Sequence, residues 1–168
     1  MNEGFRLVTP RLLLRRWTAA DREPFAELNA DPEVMRHFPA PLDRAGSDAL
    51  AERCDGVFEQ NPFGLSAVER REDGRFLGFT GLHHMRWYPD DVEIGWRLSR
   101  SAWGQGFATE AASMWVGYAR DVLRLPRLIS IIHPDNAASF AVARKLGMTE
   151  GWRGDSEERP HVVMTLPL

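Results

Sequence analysis

The chain has 168 residues, 43% hydrophobic and 27% charged, which suits one soluble globular domain with a sizeable core. A net charge of −3 at pH 7 gives no footprint for nucleic acid or an anionic membrane, and no apolar run approaches bilayer-spanning length. The lone cysteine, Cys54, excludes an intrachain disulfide and fits a reducing, cytoplasmic setting, and Met1-Asn2-Glu3-Gly4 carries no signal-peptide pattern.

Phe5 to Trp17 reads as a first strand with Leu12 and Leu14 on one face, and Arg11, Arg15 and Arg16 as a solvated basic cluster. Thr18 caps a helix over Ala20 to Asn29, with Asp21 and Glu23 in its first turn, where the helix dipole favours them. Asp31-Pro32 opens a short helical turn through Met35, and Pro39-Ala40-Pro41 is a loop. Asp43 to Gln60 reads as another helix, with Cys54 a half-buried filler. Phe63 to Arg70 and Arg75 to Trp87 read as paired strands joined through Glu72-Asp73-Gly74. In Val92 to Leu98, Ile94, Trp96 and Leu98 alternate with Glu93, Gly95 and Arg97, the period of a half-buried strand. Gly95 inside it marks a bulge or a close backbone approach.

Leu128 to His133 is a short, almost continuously apolar strand, as expected for burial within a sheet. Asn136 or Asp135 caps a helix that ends at Gly147. Met148 to Arg153 and His161 to Leu166 are the final strands, with Asp155 to Glu158 a solvated loop between them. Strands with interleaved helices after mid-chain predict one α/β domain over 1–168, with a mixed central sheet of about seven strands and flanking helices.

Trp103-Gly104-Gln105-Gly106-Phe107-Ala108-Thr109-Glu110 lies between the 92–98 strand and a helix whose apolar face is Ala108, Ala111, Trp115, Ala119 and Val122. Unpaired N–H groups at a helix start, with the dipole behind them, suit a pyrophosphate or another anion. Gly104 and Gly106 let the backbone bend and approach such a ligand closely. A plain strand-to-helix turn would show the same residues. The dinucleotide fingerprint does not fit, because Thr109 stands where its third glycine belongs, and Phe107 after Gly106 breaks the Walker pattern.

Residues 93–112 resemble motif A of the GNAT acyltransferases, whose loop reads Gln/Arg-x-x-Gly-x-Gly/Ala. Here Trp103 holds the first position. Thr9-Pro10-Arg11-Leu12-Leu13-Leu14-Arg15, Asp31-Pro32-Glu33-Val34-Met35, His133-Pro134-Asp135-Asn136-Ala137-Ala138-Ser139 and Lys145-Leu146-Gly147-Met148 are similar to the RimJ/RimL-type branch. The resemblance covers nearly the whole chain. It implies a sheet splayed at the cofactor site, with the pantetheine arm of acetyl-CoA entering beside the 92–98 strand. It implies acetyl transfer to a primary amine, either a protein N-terminus or a small molecule, by direct attack in a ternary complex. A non-catalytic acyl-CoA-binding or sensor module is the rival, and a homodimer is left open.

The resemblance assigns cofactor contacts to Trp96, Arg97, Leu98, Trp103, Gly104, Gln105, Gly106, Phe107, Ala108, Thr109, Asn136 and Lys145. A backbone N–H near Arg97 or Leu98, freed by a bulge, would polarise the thioester carbonyl. Amine attack is helped by a base, and Glu93 is the leading candidate, directly or through water, with a surface carboxylate as the plain alternative. Ser139, in an Asn-x-x-Ser helix start, would protonate the leaving thiolate or simply satisfy the helix end. His83 and His84 point to opposite faces, so one can line the acceptor pocket. Phe38 and Trp87 are candidates for its wall. Asp31, Glu33, Asp43 and the 155–158 run would border its entrance and favour a cationic acceptor. No zinc-type spacing appears, and no metal is expected.

Overall fold

The computed structural model describes residues 4–157 and 159–168. Met1-Asn2-Glu3 and the Glu158 end of the acidic run therefore lie outside the described residues. The strands are β1 (Arg6–Val8), β2 (Leu12–Arg15), β3 (Leu65–Arg70), β4 (Phe76–Met85), β5 (Tyr88–Leu98), β6 (Arg127–Ile132), β7 (Thr149–Ser156) and β8 (Arg159–Pro167). The α-helices are α1 (Arg22–Ala30), α2 (Arg44–Gly56), α3 (Phe107–Asp121) and α4 (Ala137–Lys145).

One eight-stranded sheet runs β1-β2-β3-β4-β5-β6-β8-β7, one strand more than the pattern predicts. The extra strand comes from the N-terminal run, which folds back at Thr9-Pro10-Arg11. Pro10 cannot donate to a ladder, and the Thr9 hydroxyl accepts from Leu12 N–H at 2.9 Å to close the turn. Asp31 to Met35 makes a single turn, closed by Met35 N–H to Asp31 C=O at 3.0 Å. Asp43 stands outside α2 as its cap, accepting from Gly46 N–H at 2.7 Å. β5 starts at Tyr88, earlier than the alternation shows, because a tight turn at Arg86-Trp87 and an irregularity at His84/Met85 mask its period.

Every neighbouring pair is antiparallel except β5–β6, which is parallel and held by one register pair, Glu93 with Ile129. β6 instead pairs with β8 over six residues. The two halves of the sheet therefore part beside β5, as the resemblance implied. α3 and α4 cover one face over Trp115, Leu82, Ile94 and Leu128. α1 and α2 cover the other over Phe25, Leu28, Ala51, Phe79 and Cys54. Cys54 is buried rather than half-buried, and burial pushes its thiol up to about 12.

The basic cluster is not solvated as expected. Arg15 grips Asp21 through two bonds of 2.8 and 2.9 Å and reaches Glu69 at 2.7 Å. Arg16 pairs with Asp55 at 2.8 Å and Glu59 at 2.5 Å, which pins the strand end to α2. Burial works against the Asp21 charge, but the Arg15 guanidinium and Thr18 outweigh it and hold this carboxyl below its usual range. A depressed carboxyl pKa stabilises the fold above about pH 4, and that contribution fades as pH falls through the folded-state value. Asp21→Asn will thus cost about 2–3 kcal/mol at pH 7, since it leaves Arg15 without its buried partner. Urea unfolding of both proteins should show the gap narrowing as pH falls below about 4. A gap that is constant with pH would contradict this account.

Candidate active site

The loop at the C-terminal end of β5 is built to present backbone. Gly104 (φ 71°) and Gly106 (φ 80°) are both left-handed, and Gly106 is the N-cap of α3. The first helical bond is Glu110 N–H to Gly106 C=O at 3.0 Å, so the amides of Phe107, Ala108 and Thr109 have no partner within the helix. The Phe107 ring is buried, leaving only its backbone for a ligand. The Trp103 indole donates to Leu98 C=O at 2.9 Å and ties the loop to the strand end, while Gln105 Nε2 donates to Ser101 C=O at 2.8 Å.

Arg11, expected within a solvated cluster, braces this loop from behind. Its Nη1 donates to Gln105 C=O at 2.9 Å, its Nε to Glu110 at 2.6 Å, and its guanidinium lies 4.3 Å from the Phe107 ring centre. Glu110 also accepts from the Thr9 hydroxyl at 2.6 Å and from Arg11 N–H at 2.9 Å. Burial opposes the Glu110 charge, yet Thr9 and Arg11 prevail and hold its carboxyl low. These partners stand about a hundred positions apart, so no spacing rule could join them.

At the parting of the sheet, Glu93 is 8% exposed and spans the gap. One carboxylate oxygen accepts from Ile131 N–H of β6 at 3.1 Å, and the other lies 3.0 Å from His83 Nε2. His83 and Glu93 are register partners on the face covered by α1 and α2. His84 points away, against Phe63. No bulge occurs near Arg97 or Leu98, because the β4–β5 register is unbroken from Gly78 to His84. The free backbone edge beside these residues comes instead from the short β5–β6 ladder. Trp96 sends its side chain to the α3 face, where it packs on the core.

Asn136 caps α4, accepting from Ser139 N–H at 3.1 Å. The Ser139 hydroxyl is half-buried and has no hydrogen-bond partner among the described residues. Lys145 is exposed in the last turn of α4, about 9 Å along the axis from Ser139, so one ligand group cannot meet both.

On the α1/α2 face, Arg97 donates to Asn29 Oδ1 at 2.7 Å and lies 4.1 Å from the Phe38 ring centre and 5.2 Å from that of Phe79. Trp87 stacks on His161 at 5.3 Å, and the Tyr88 hydroxyl meets His161 Nε2 at 2.7 Å. Two of the residues expected at an acidic entrance are paired, and a third caps a helix. Asp31 pairs with Arg100 at 2.9 Å, Glu157 pairs with Arg86, and Asp43 is spent on the α2 cap. Asn29, Tyr88 and His161 were missed by sequence reasoning, since each reads locally as an ordinary helix or strand residue. Among the described residues, no group of three or more His, Cys, Asp or Glu is placed to hold a metal ion, and no helix is long and apolar enough to cross a membrane.

A glycine loop opening a helix, a parted parallel strand pair and a polar floor beside the gap are features that recur in known proteins. The acetyltransferase (GNAT) domain model matches residues 11–149. The chain is 31% identical over 150 residues to YkkB of Bacillus subtilis (strain 168), covering 88% of this chain and 87% of that one. It is 42% identical over 152 residues to an FsC-acetyl coenzyme A-N(2)-transacetylase of Aspergillus fumigatus, covering 85% of this chain and 64% of that one. An acetyltransferase from Agrobacterium tumefaciens str. C58 superposes with a TM-score of 0.87 at 27% identity, covering 98% of this chain and 95% of that one. With the family match running from the β1–β2 turn through the glycine loop to the start of β7, the chain belongs to the GNAT acetyltransferase family, in its RimJ/RimL type, and is an acetyl-CoA-dependent N-acetyltransferase.

Proposed function

We propose that the chain, as one acetyltransferase unit, transfers the acetyl group of acetyl-CoA to a primary amine by direct attack in a ternary complex. The observation that carries this reading is the single register pair between β5 and β6, Glu93 with Ile129, which leaves β5 beyond Glu93 without a ladder partner on that side as it runs towards the Gly104–Thr109 loop. The pyrophosphate would rest on the free amides of Phe107, Ala108 and Thr109, where the α3 dipole adds positive potential. The pantetheine arm would follow the free edge of β5 past Trp96, Arg97 and Leu98. A backbone N–H of that edge would polarise the thioester carbonyl.

The amine nitrogen attacks the carbonyl carbon, and the carbon–sulfur bond breaks. The proton leaving the nitrogen goes to Glu93, directly or through water, with His83 as the neighbouring acceptor in the same network. The departing thiolate takes a proton through the Ser139 hydroxyl, which regains one from solvent water in the same step and has no internal partner to keep it otherwise engaged. Asn136 serves this by holding the first turn of α4. The buried ring of Phe107 and the indole of Trp103 act on the loop rather than on the ligand. Lys145, at the far end of α4, is placed only for an outlying phosphate.

A thermal-shift titration tests the assignment. Acetyl-CoA binds only the native state, so at a hundred times Kd it should add about 2.7 kcal/mol and raise Tm by several degrees. A shift with NAD or ATP and none with acetyl-CoA would sink the reading.

A further inference from the structure

The guanidinium of Arg97 has no carboxylate partner among the described residues, although its Nε is shut off from solvent and unpaired. Arg15 and Arg16, also part-buried, are by contrast matched by acidic groups. Arg97 has the neutral Asn29 carbonyl, the faces of Phe38 and Phe79, and the protonated Cys54 thiol nearby. Burial lowers it to about 10, so it stays protonated at neutral pH. A half-buried cation answered by dipoles and ring faces gains when an anion arrives.

Three further observations say where that anion would come from. Arg97 lies on the same face of β5 as Glu93, two register steps away, about 13 Å between Cα atoms. Between them stands Gly95, where an added Cβ would meet only His83 Nε2, at 3.9 Å, so the face is open from one group to the other. Phe38, 37% exposed, lies over the guanidinium within reach of solvent. Asn29 takes Nη1 and Nε is sealed from solvent, which leaves Nη2 as the guanidinium nitrogen open to an incoming anion.

We propose that Arg97 receives a carboxylate of the acceptor, so that the substrates are amino acids or peptides carrying a carboxylate several bonds from the reacting amine. This rests on the acetyl-transfer reading above. The amine would sit by Glu93 and His83 and the carboxylate by Arg97, with Phe38 closing over the acceptor chain. With Arg100 answering Asp31 and Arg86 answering Glu157, the acidic entrance would repel such a substrate less than the sequence alone suggests.

The test compares 4-aminobutanoate and 6-aminohexanoate with their neutral amides, on wild type and on Arg97→Gln. Calorimetric titration into the CoA-saturated protein gives Kd, and turnover with acetyl-CoA gives kcat/KM. At least one amino acid should be preferred over its amide by about tenfold or more, the worth of one charge-assisted contact, and Arg97→Gln should bring that ratio close to one. Arg97→Lys should restore only part of it, because an ammonium lacks the rigid fork that holds Asn29 with one nitrogen and offers another to the carboxylate. Equal use of acid and amide by wild type would overturn the proposal, as would binding of neither member of each pair. The wild-type comparison stands by itself if Arg97→Gln does not fold. Loss of the acetyl-CoA thermal shift in wild type would be a different result, overturning the transfer reading.

Discussion

Gly106→Val will lower acetyl-CoA affinity by about a hundredfold or more while the protein remains folded. Gly106 has φ 80°, and a β-branched residue is strongly disfavoured there. Strain in that region costs roughly 1–2 kcal/mol, small beside the stability of a typical domain. Relief of the strain would rotate the very peptides whose amides face the ligand. The new Cβ would also stand 3.4 Å from Arg11 Nη2, crowding the guanidinium that braces Gln105 and Glu110. Loss of one or two charge-assisted bonds to a phosphate, at about 1.5–3 kcal/mol each, gives the stated factor. Gly104→Ala is the informative control. Gly104 is also left-handed, at φ 71°, but a Cβ there meets nothing within 4 Å. It should cost stability through backbone strain alone and weaken binding far less. Calorimetric titration of both variants, with circular dichroism to confirm folding, decides. Wild-type affinity in folded Gly106→Val would place the phosphates elsewhere.

The loop was legible because two glycines between an alternating strand and an amphipathic helix suit little besides a turn that presents its backbone. The helices and most strands were legible for a related reason, since their periods follow from one buried face. The N-terminal hairpin was not, because Leu12, Leu13 and Leu14 carry the apolar signal straight across a turn set by Thr9 and Pro10. The polar face of β5 carried a divided signal. Glu93 read as a base or a plain surface carboxylate and Arg97 as a cofactor contact; Glu93 is buried and Arg97 half-buried under the Phe38 ring. In a sheet wrapped on both sides, a polar face that is not on water faces something else, and in the reading proposed above it is the floor of the site. Long-range pairs such as Arg11 with Glu110, or Arg97 with Asn29, have no local signature. Only the folded register brings them together.

Glu93→Gln will reduce turnover by about a hundred- to ten-thousand-fold, the usual worth of a positioned base, and leave acetyl-CoA affinity nearly unchanged. Glutamine keeps the volume and a carbonyl oxygen for Ile131 N–H, so the contact across the gap survives. It loses the anionic oxygen 3.0 Å from His83 Nε2, and with it the proton acceptor beside the incoming amine. An alkylamine with a pKa near 10 is almost wholly protonated at pH 7, so the unaided reaction depends on the small neutral fraction. The variant's rate should therefore climb steeply with pH towards the amine pKa, where wild type is flatter, and the gap should narrow at high pH. Ser139→Ala should cost less, roughly ten- to a hundredfold, since water can supply the thiolate proton. Full activity of Glu93→Gln across the pH range would assign the base to another group or to bulk water. A fall in acetyl-CoA affinity or in Tm as large as the fall in kcat would instead make Glu93 a strut between β5 and β6. The carboxylate would then hold the slot in shape, and the chemistry would belong to the solvent that fills it.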